Sequence, residues 1–215
     1  MTLGSPRTLD ADGLFKNTPD AIFTYTGRII RPLDPDPDDI VIEDIAHALS
    51  QQCRFTGHTS RFSSVAEHAW RVARLVFARD PQLALEALLH DASEAYLSDI
   101  ARPVKKAPGF AETYLKYEAQ LEAAVQRAFR LPLRAEMHPT IKWADQYALE
   151  AEVAAFCSPN FQELMGVSKD ADVNGEPWLE NALPGAWRPV IAEEMFLDAF
   201  RLYWNAREGL KAVRL

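Results

Sequence analysis

Thiols are scarce in this sequence: Cys53 and Cys157 are its only cysteines, far apart and outside any C-x-x-C pair. That argues against a disulfide framework and a thiolate zinc site, and for a reducing compartment. Long apolar runs are missing as well. No stretch approaches the roughly 18 residues that a membrane span requires, and Met1–Gly13 has no apolar core behind a positive patch. The expectation is a cytoplasmic protein with no membrane partner. Positive charge is also in deficit, with 23 Lys and Arg against 31 Asp and Glu and a formal net charge of −8. Holding long DNA or RNA needs a basic surface that displaces counterions, so long nucleic acid is not expected as a partner. A local Arg/Lys cluster can still bind one small phosphorylated molecule.

What is present is the composition of an ordinary globule, 48% hydrophobic and 25% charged over 215 residues, a length that suits one domain with trimmings. An N-terminal arm, residues 1–39, ends in the proline- and acid-rich stretch 32–39. Within it Ile22–Ile30, interrupted by Gly27, suggests a short two-stranded ribbon. Helical periodicity then begins: Ile42, Ile45, Ala46 and Leu49 define a first helix ending near Gln52. Arg54–Arg61 reads as a loop. Ser64-Val-Ala-Glu67 has the capping-box form and opens a helix to about Arg79, with an inward stripe of Val65, Ala69, Val72 and Val76 and His68 beside it. A third helix is expected from Pro81 to about Tyr96, and others at about 110–129 and 138–156. Residues 158–188 read as loop. An amphipathic helix over about 189–207 has apolar residues enough to dock on the core or on a second subunit, which leaves a homodimer open.

Three polar groups fall on apolar helix faces. His90-Asp91 follows Ala87-Leu-Leu; Asp145 has Ile141, Ala148 and Leu149 as helical neighbours; His68 lies beside the α-helical stripe. Each alone has an ordinary explanation as a satisfied core histidine or an ion-pair member. Together they pose one problem, because an isolated buried charge costs several kcal/mol or more. A single divalent cation bound by imidazole and carboxylate solves it, and three helices can converge on such a point.

The series Ser64-Val-Ala-Glu-His68, His90-Asp-Ala-Ser-Glu94 with Asp99, then Asp145 resembles the HD phosphohydrolase superfamily and its H…HD…D pattern, over residues of about 40–157. The resemblance is closest to HD-domain 5′-deoxynucleotidases and extends to phage-type deoxynucleoside triphosphohydrolases. It implies an all-α HD-domain helical bundle over 40–157, with the arm before it and, over 158–215, a loop and C-terminal helix. It implies one divalent ion per chain, Mn, Co, Zn, Fe or Mg, held by His68, His90, Asp91 and Asp145. Glu94 then matches the glutamate beside the attacking water and Asp99 a second active-site acid. Arg54 with Phe55 is similar to the Arg-aromatic pair that holds phosphate and nucleoside; His58, Arg61 and Lys105 are further candidate phosphate contacts.

The implied activity is hydrolysis of nucleotide phosphate esters, foremost 5′-dephosphorylation of deoxynucleoside monophosphates. One alternative is a triphosphohydrolase releasing triphosphate or pyrophosphate; another is a non-catalytic, metal-stabilised regulatory domain. The chemistry suits the parts, since a divalent ion brings the pKa of bound water from near 16 to about 7. Acid–base assistance by a carboxyl adds about 10²–10⁴, and arginine's planar fork suits phosphate oxygens. Ser93-Glu94-Ala95 after the doublet, and the lack of any Gly-Tyr-Pro triplet, disfavour tetraphosphate hydrolases and cyclic-dinucleotide phosphodiesterases. A diiron site would want more histidines than His138 between the doublet and Asp145. A structural metal clip would need neither Glu94, Asp99 nor Arg54.

Overall fold

The computed structural model describes residues 20–167 and 185–212, and among these the architecture is all-α with one small ribbon. In α1 (Ile42–Gln51) the residues Ile45, Ala46 and Leu49 recur at helical steps and are fully buried. In α2 (Val65–Arg79) the stripe Val65, Ala69, Val72 and Val76 is equally sealed, and Ala66, Glu67, His68 and Ala73 are buried too. A helix buried nearly all round belongs at the centre, and α2 indeed packs against α1, α3 (Ala84–Leu88), α7 (Pro139–Phe156) and α9 (Pro189–Ala212).

Ser64 starts α2, its Oγ accepting the Glu67 amide at 3.1 Å. The reciprocal half of the expected capping box does not form. The Glu67 carboxylate turns into the core, accepts the amides of Gly185 at 2.8 Å and Trp187 at 3.0 Å, and pairs with Arg71. Burial decides this: a fully buried carboxylate must collect donors there, whereas the helix end has other means of satisfaction.

The single helix expected from Pro81 to Tyr96 is broken. A 3₁₀ turn over Pro81–Leu83 leads into α3, and α4 (Glu94–Leu97) starts only after a run of turns at 89–93. Across the gap the amides of Ala92 and Glu94 reach back three residues, to Leu89 and Asp91, instead of four. The Ala87 carbonyl, which a continuous helix would give to the Asp91 amide, accepts from His90 Nδ1 at 2.8 Å. Periodicity could not reveal this, because the apolar pattern fits either conformation.

The short α5 (Arg102–Lys105) was not expected. α6 (Ala111–Ala128) and α7 lie where predicted. α8 (Pro159–Leu164) occupies the start of the expected loop, capped by Ser158 and opened by Pro159; residues 168–184 of that loop lie outside the described residues. In α9, Ala192, Phe196, Ala199 and Tyr203 are buried against α1, α2 and α3 of the same chain. The N-terminal ribbon pairs β1 (Ile22–Phe23) with β2 (Ile29–Ile30), antiparallel, around Gly27 at φ +81°. Asp44 ties it to α1 by accepting the Thr26 amide and hydroxyl at 2.7 and 2.9 Å. No helix among the described residues is long and apolar enough to cross a membrane.

Candidate metal centre

His68 comes from the second turn of α2, His90 and Asp91 from the break between α3 and α4, and Asp145 from the second turn of α7. The ligand atoms of His68, His90 and Asp145 all lie within 4.8 Å of one another. His68 Nε2 is 3.0 Å from Asp145 Oδ1 and 3.9 Å from Asp91 Oδ2. His90 Nε2 is 3.1 Å from Asp91 Oδ2 and 4.0 Å from Asp145 Oδ1. The fully buried His68 anchors the group, and the partly open Asp145 marks its solvent side.

The nitrogens can be assigned from their partners. A carbonyl only accepts, so His90 Nδ1 carries a hydrogen for Ala87. A carboxylate only accepts, so His68 Nδ1 carries one for Glu152 Oε1 at 2.9 Å. That leaves Nε2 of each ring facing carboxylates, 3.0 Å from Asp145 Oδ1 for His68 and 3.1 Å from Asp91 Oδ2 for His90. His90 Nε2 is buried with no hydrogen-bond partner among the described residues. Two imidazole lone pairs and two carboxylates form a donor set that fits a divalent cation. With protons alone, burial would depress His90, but Asp91 and Asp145 override it and push it up to about 9. Burial opposes the charge of Asp91 too, yet His90, His68 and Arg54 hold it well below the usual carboxylate range.

Glu94 and Asp99 both lie near enough to Asp91 to feel its charge. Burial, reinforced by Asp91 and Asp99, pushes Glu94 up to about 9; burial also raises Asp99, against the pull of Arg54. Glu94 Oε2 is buried and without a hydrogen-bond partner. The side chain of Gln52 stitches this wall together, donating to the Glu94 carbonyl at 2.9 Å and accepting the Asp99 amide at 3.1 Å. Lys105 pairs with Glu118 and still feels Glu94 and Asp91.

Arg54 points inward from a tight turn in which Phe55, Thr56 and Gly57 all have positive φ. Its Nε donates to Glu152 Oε2 at 2.7 Å, and Asp91, Asp99 and Glu94 add to the field that holds it charged. Phe55 is half-buried, edge-on to Phe161 at 6.3 Å and under the Arg54 guanidinium at 5.5 Å. His58 and Arg61 are exposed, and no described contact joins them to the four ligand side chains. A cleft of about 90 Å³ borders His90 between Glu86, Ser93, Glu122, Leu131 and Arg134.

A family model described as an HD domain matches residues 46–167, more than half of the chain. The chain belongs to the HD-domain family. Membership implies metal-dependent phosphohydrolase chemistry, which the acceptor cluster suits. Among curated relatives, the chain is 40% identical over 131 residues to the uncharacterized protein YfdR of Escherichia coli, covering 61% of this chain and 69% of that one. It is likewise 40% identical over 161 residues to an uncharacterized protein of Rhodobacter capsulatus, 70% of this chain and 81% of the other.

Three polar residues of this HD domain escaped the sequence reading. Glu152 and Arg71 are almost wholly buried around His68, and Gln52 braces the acid wall. A signal existed for two of them: Glu152 is seven residues after Asp145, on the same helix face, and Glu67 and Arg71 are an i,i+4 pair. Nothing local singled out Gln52.

Proposed function

We propose that this HD domain removes the 5′-phosphate of deoxynucleoside monophosphates by metal-dependent hydrolysis. The observation that supports this best is the place of Arg54, a guanidinium fixed at Nε beside the cluster of His68, His90, Asp91 and Asp145. Those four residues would hold one divalent ion per chain, which when bound polarises a phosphoryl oxygen and acidifies water. Arg54 presents its remaining N–H groups to the phosphate, a planar donor fork that matches two phosphate oxygens. Burial beside Asp91 and Asp99 pushes Glu94 up to about 9, and burial raises Asp99 as well, so near neutrality the pair keeps a proton on Glu94. It thus offers an acceptor for the proton of the attacking water and a donor for the leaving oxygen. The cleft beside His90 is smaller than the several hundred Å³ typical of sites that enclose a ligand of nucleoside size. The nucleoside is accordingly assigned to the Phe55 ring, which flanks Arg54.

The test is a screen of purified protein against nucleoside mono-, di- and triphosphates with Mn, Co, Zn and Mg, following phosphate and pyrophosphate release. Phosphate from deoxynucleoside monophosphates is the expected product. Release of triphosphate or pyrophosphate would transfer the reading to the triphosphohydrolases, and silence with every metal would leave a regulatory domain.

A further inference from the structure

We propose that Glu152 is a positioning residue that sets, with one carboxylate, both the tautomer of the metal-binding His68 and the orientation of Arg54. On α7, Asp145, Ala148 and Glu152 follow one another on a single face. Asp145 reaches the acceptor cluster. Glu152, two turns further on, lies one layer deeper with no exposed surface. Its Oε1 accepts from His68 Nδ1 at 2.9 Å and its Oε2 from Arg54 Nε at 2.7 Å, with Arg71 Nη1 3.6 Å away.

A carboxylate only accepts, so the His68 nitrogen that faces Glu152 carries a hydrogen, and Nε2 is the one turned toward Asp91 and Asp145, as a metal ligand requires. The buried layer around it holds two carboxylates, Glu67 and Glu152, and two guanidinium groups, Arg54 and Arg71. The same carboxylate spends only the Nε–H of Arg54; among the described residues Glu152 is the one hydrogen-bond partner of the Arg54 side chain, so the terminal nitrogens remain for an anion. Arg71, itself paired with Glu67, keeps Glu152 from turning away, and Glu67 in turn grips the amides of Gly185 and Trp187.

The Arg54 half rests on the phosphohydrolase reading; the His68 half does not, and the experiments separate them. In full-length, metal-stripped wild type labelled with ¹⁵N-histidine, long-range ¹H–¹⁵N spectra should show a slowly exchanging proton on His68 Nδ1 and an Nε2 resonance that moves on adding Zn²⁺. A bare Nδ1 overturns the proposal, and this needs no variant to fold. Glu152→Gln, whose amide has one acceptor for two donors, should weaken Zn²⁺ binding in a chelator competition by about 10–100-fold, the usual cost of losing such a partner. Unchanged affinity in a folded variant also overturns it. For the Arg54 half, Arg54→Ala should lower kcat/KM far less in the Glu152→Gln background than in wild type; equal losses would remove Arg54 from Glu152's role. A wild type inactive on every nucleotide would defeat the functional reading and leave the spectra and the Zn²⁺ titration to judge Glu152.

Discussion

The two histidines of the site reach the same end by opposite means. His68 stands on an unbroken fifteen-residue helix, sealed in the core, and its Nδ1 is held by a side chain, Glu152. His90 stands where a helix has been interrupted, and its Nδ1 is held by a backbone carbonyl, that of Ala87. Both rings turn Nε2 toward Asp91 and Asp145. The difference teaches what each arrangement demands. A carboxylate below a histidine must itself be buried, charged and balanced, which brings in Arg54, Arg71 and Glu67; a carbonyl needs no such company, but the helix must give up its regular ladder to release it.

Removing either ring puts this comparison under the greatest stress. His68→Ala and His90→Ala should each abolish bound transition metal in elemental analysis, and activity with it, despite their different supports; a full equivalent retained by either variant would show that the two rings do not share an ion. Next in size is Glu94→Ala, at the edge of the broken helix. It should keep the metal and the helical circular dichroism while losing about 10²-fold or more in kcat, the scale of a lost acid–base group. Turnover at the wild-type level would leave Asp99 as the acid candidate.

Arg54→Ala should cost about one to two powers of ten in kcat/KM, since a charge-assisted hydrogen bond is worth roughly 1.5–3 kcal/mol. Arg54→Lys should recover only part, because a point charge cannot reproduce the fork; full recovery would refute bidentate capture. The smallest effect separates the two supports directly. In metal-free protein, His68→Ala should destabilise more than His90→Ala, because it strips a buried carboxylate of a donor. The expected penalty for such an orphaned acceptor is about 1–3 kcal/mol, or several degrees in melting temperature for a chain of this size. Equal melting points would mean that Glu152 does not depend on His68.

Much of this was legible one residue at a time. Val65, Ala69, Val72 and Val76 gave α2 its bounds and inward face, and the misfit of His68, Asp91 and Asp145 on apolar faces marked them as needing a common partner. His58 and Arg61 show where that reasoning stops: their basic loop suits phosphate, both side chains are exposed, and no described contact joins them to the ligand side chains. Nothing in a loop's composition says which of its cations turns inward; the left-handed turn at Phe55–Gly57 does so for Arg54 alone.

By itself the sequence determined the long helices α1, α2, α6, α7 and α9, the all-α class and the polar residues that needed a common partner, because periodicity and the cost of unpaired buried charge are local facts. The tertiary structure decided how those residues are held. It broke the expected helix at His90, turned Glu67 from a helix cap into a clamp on Gly185 and Trp187, and brought Glu152 under both His68 and Arg54. Each of these choices depends on which donor or acceptor arrives from a distant segment. A buried polar group takes the partner that packing brings to it, and packing is settled only when the whole chain has folded.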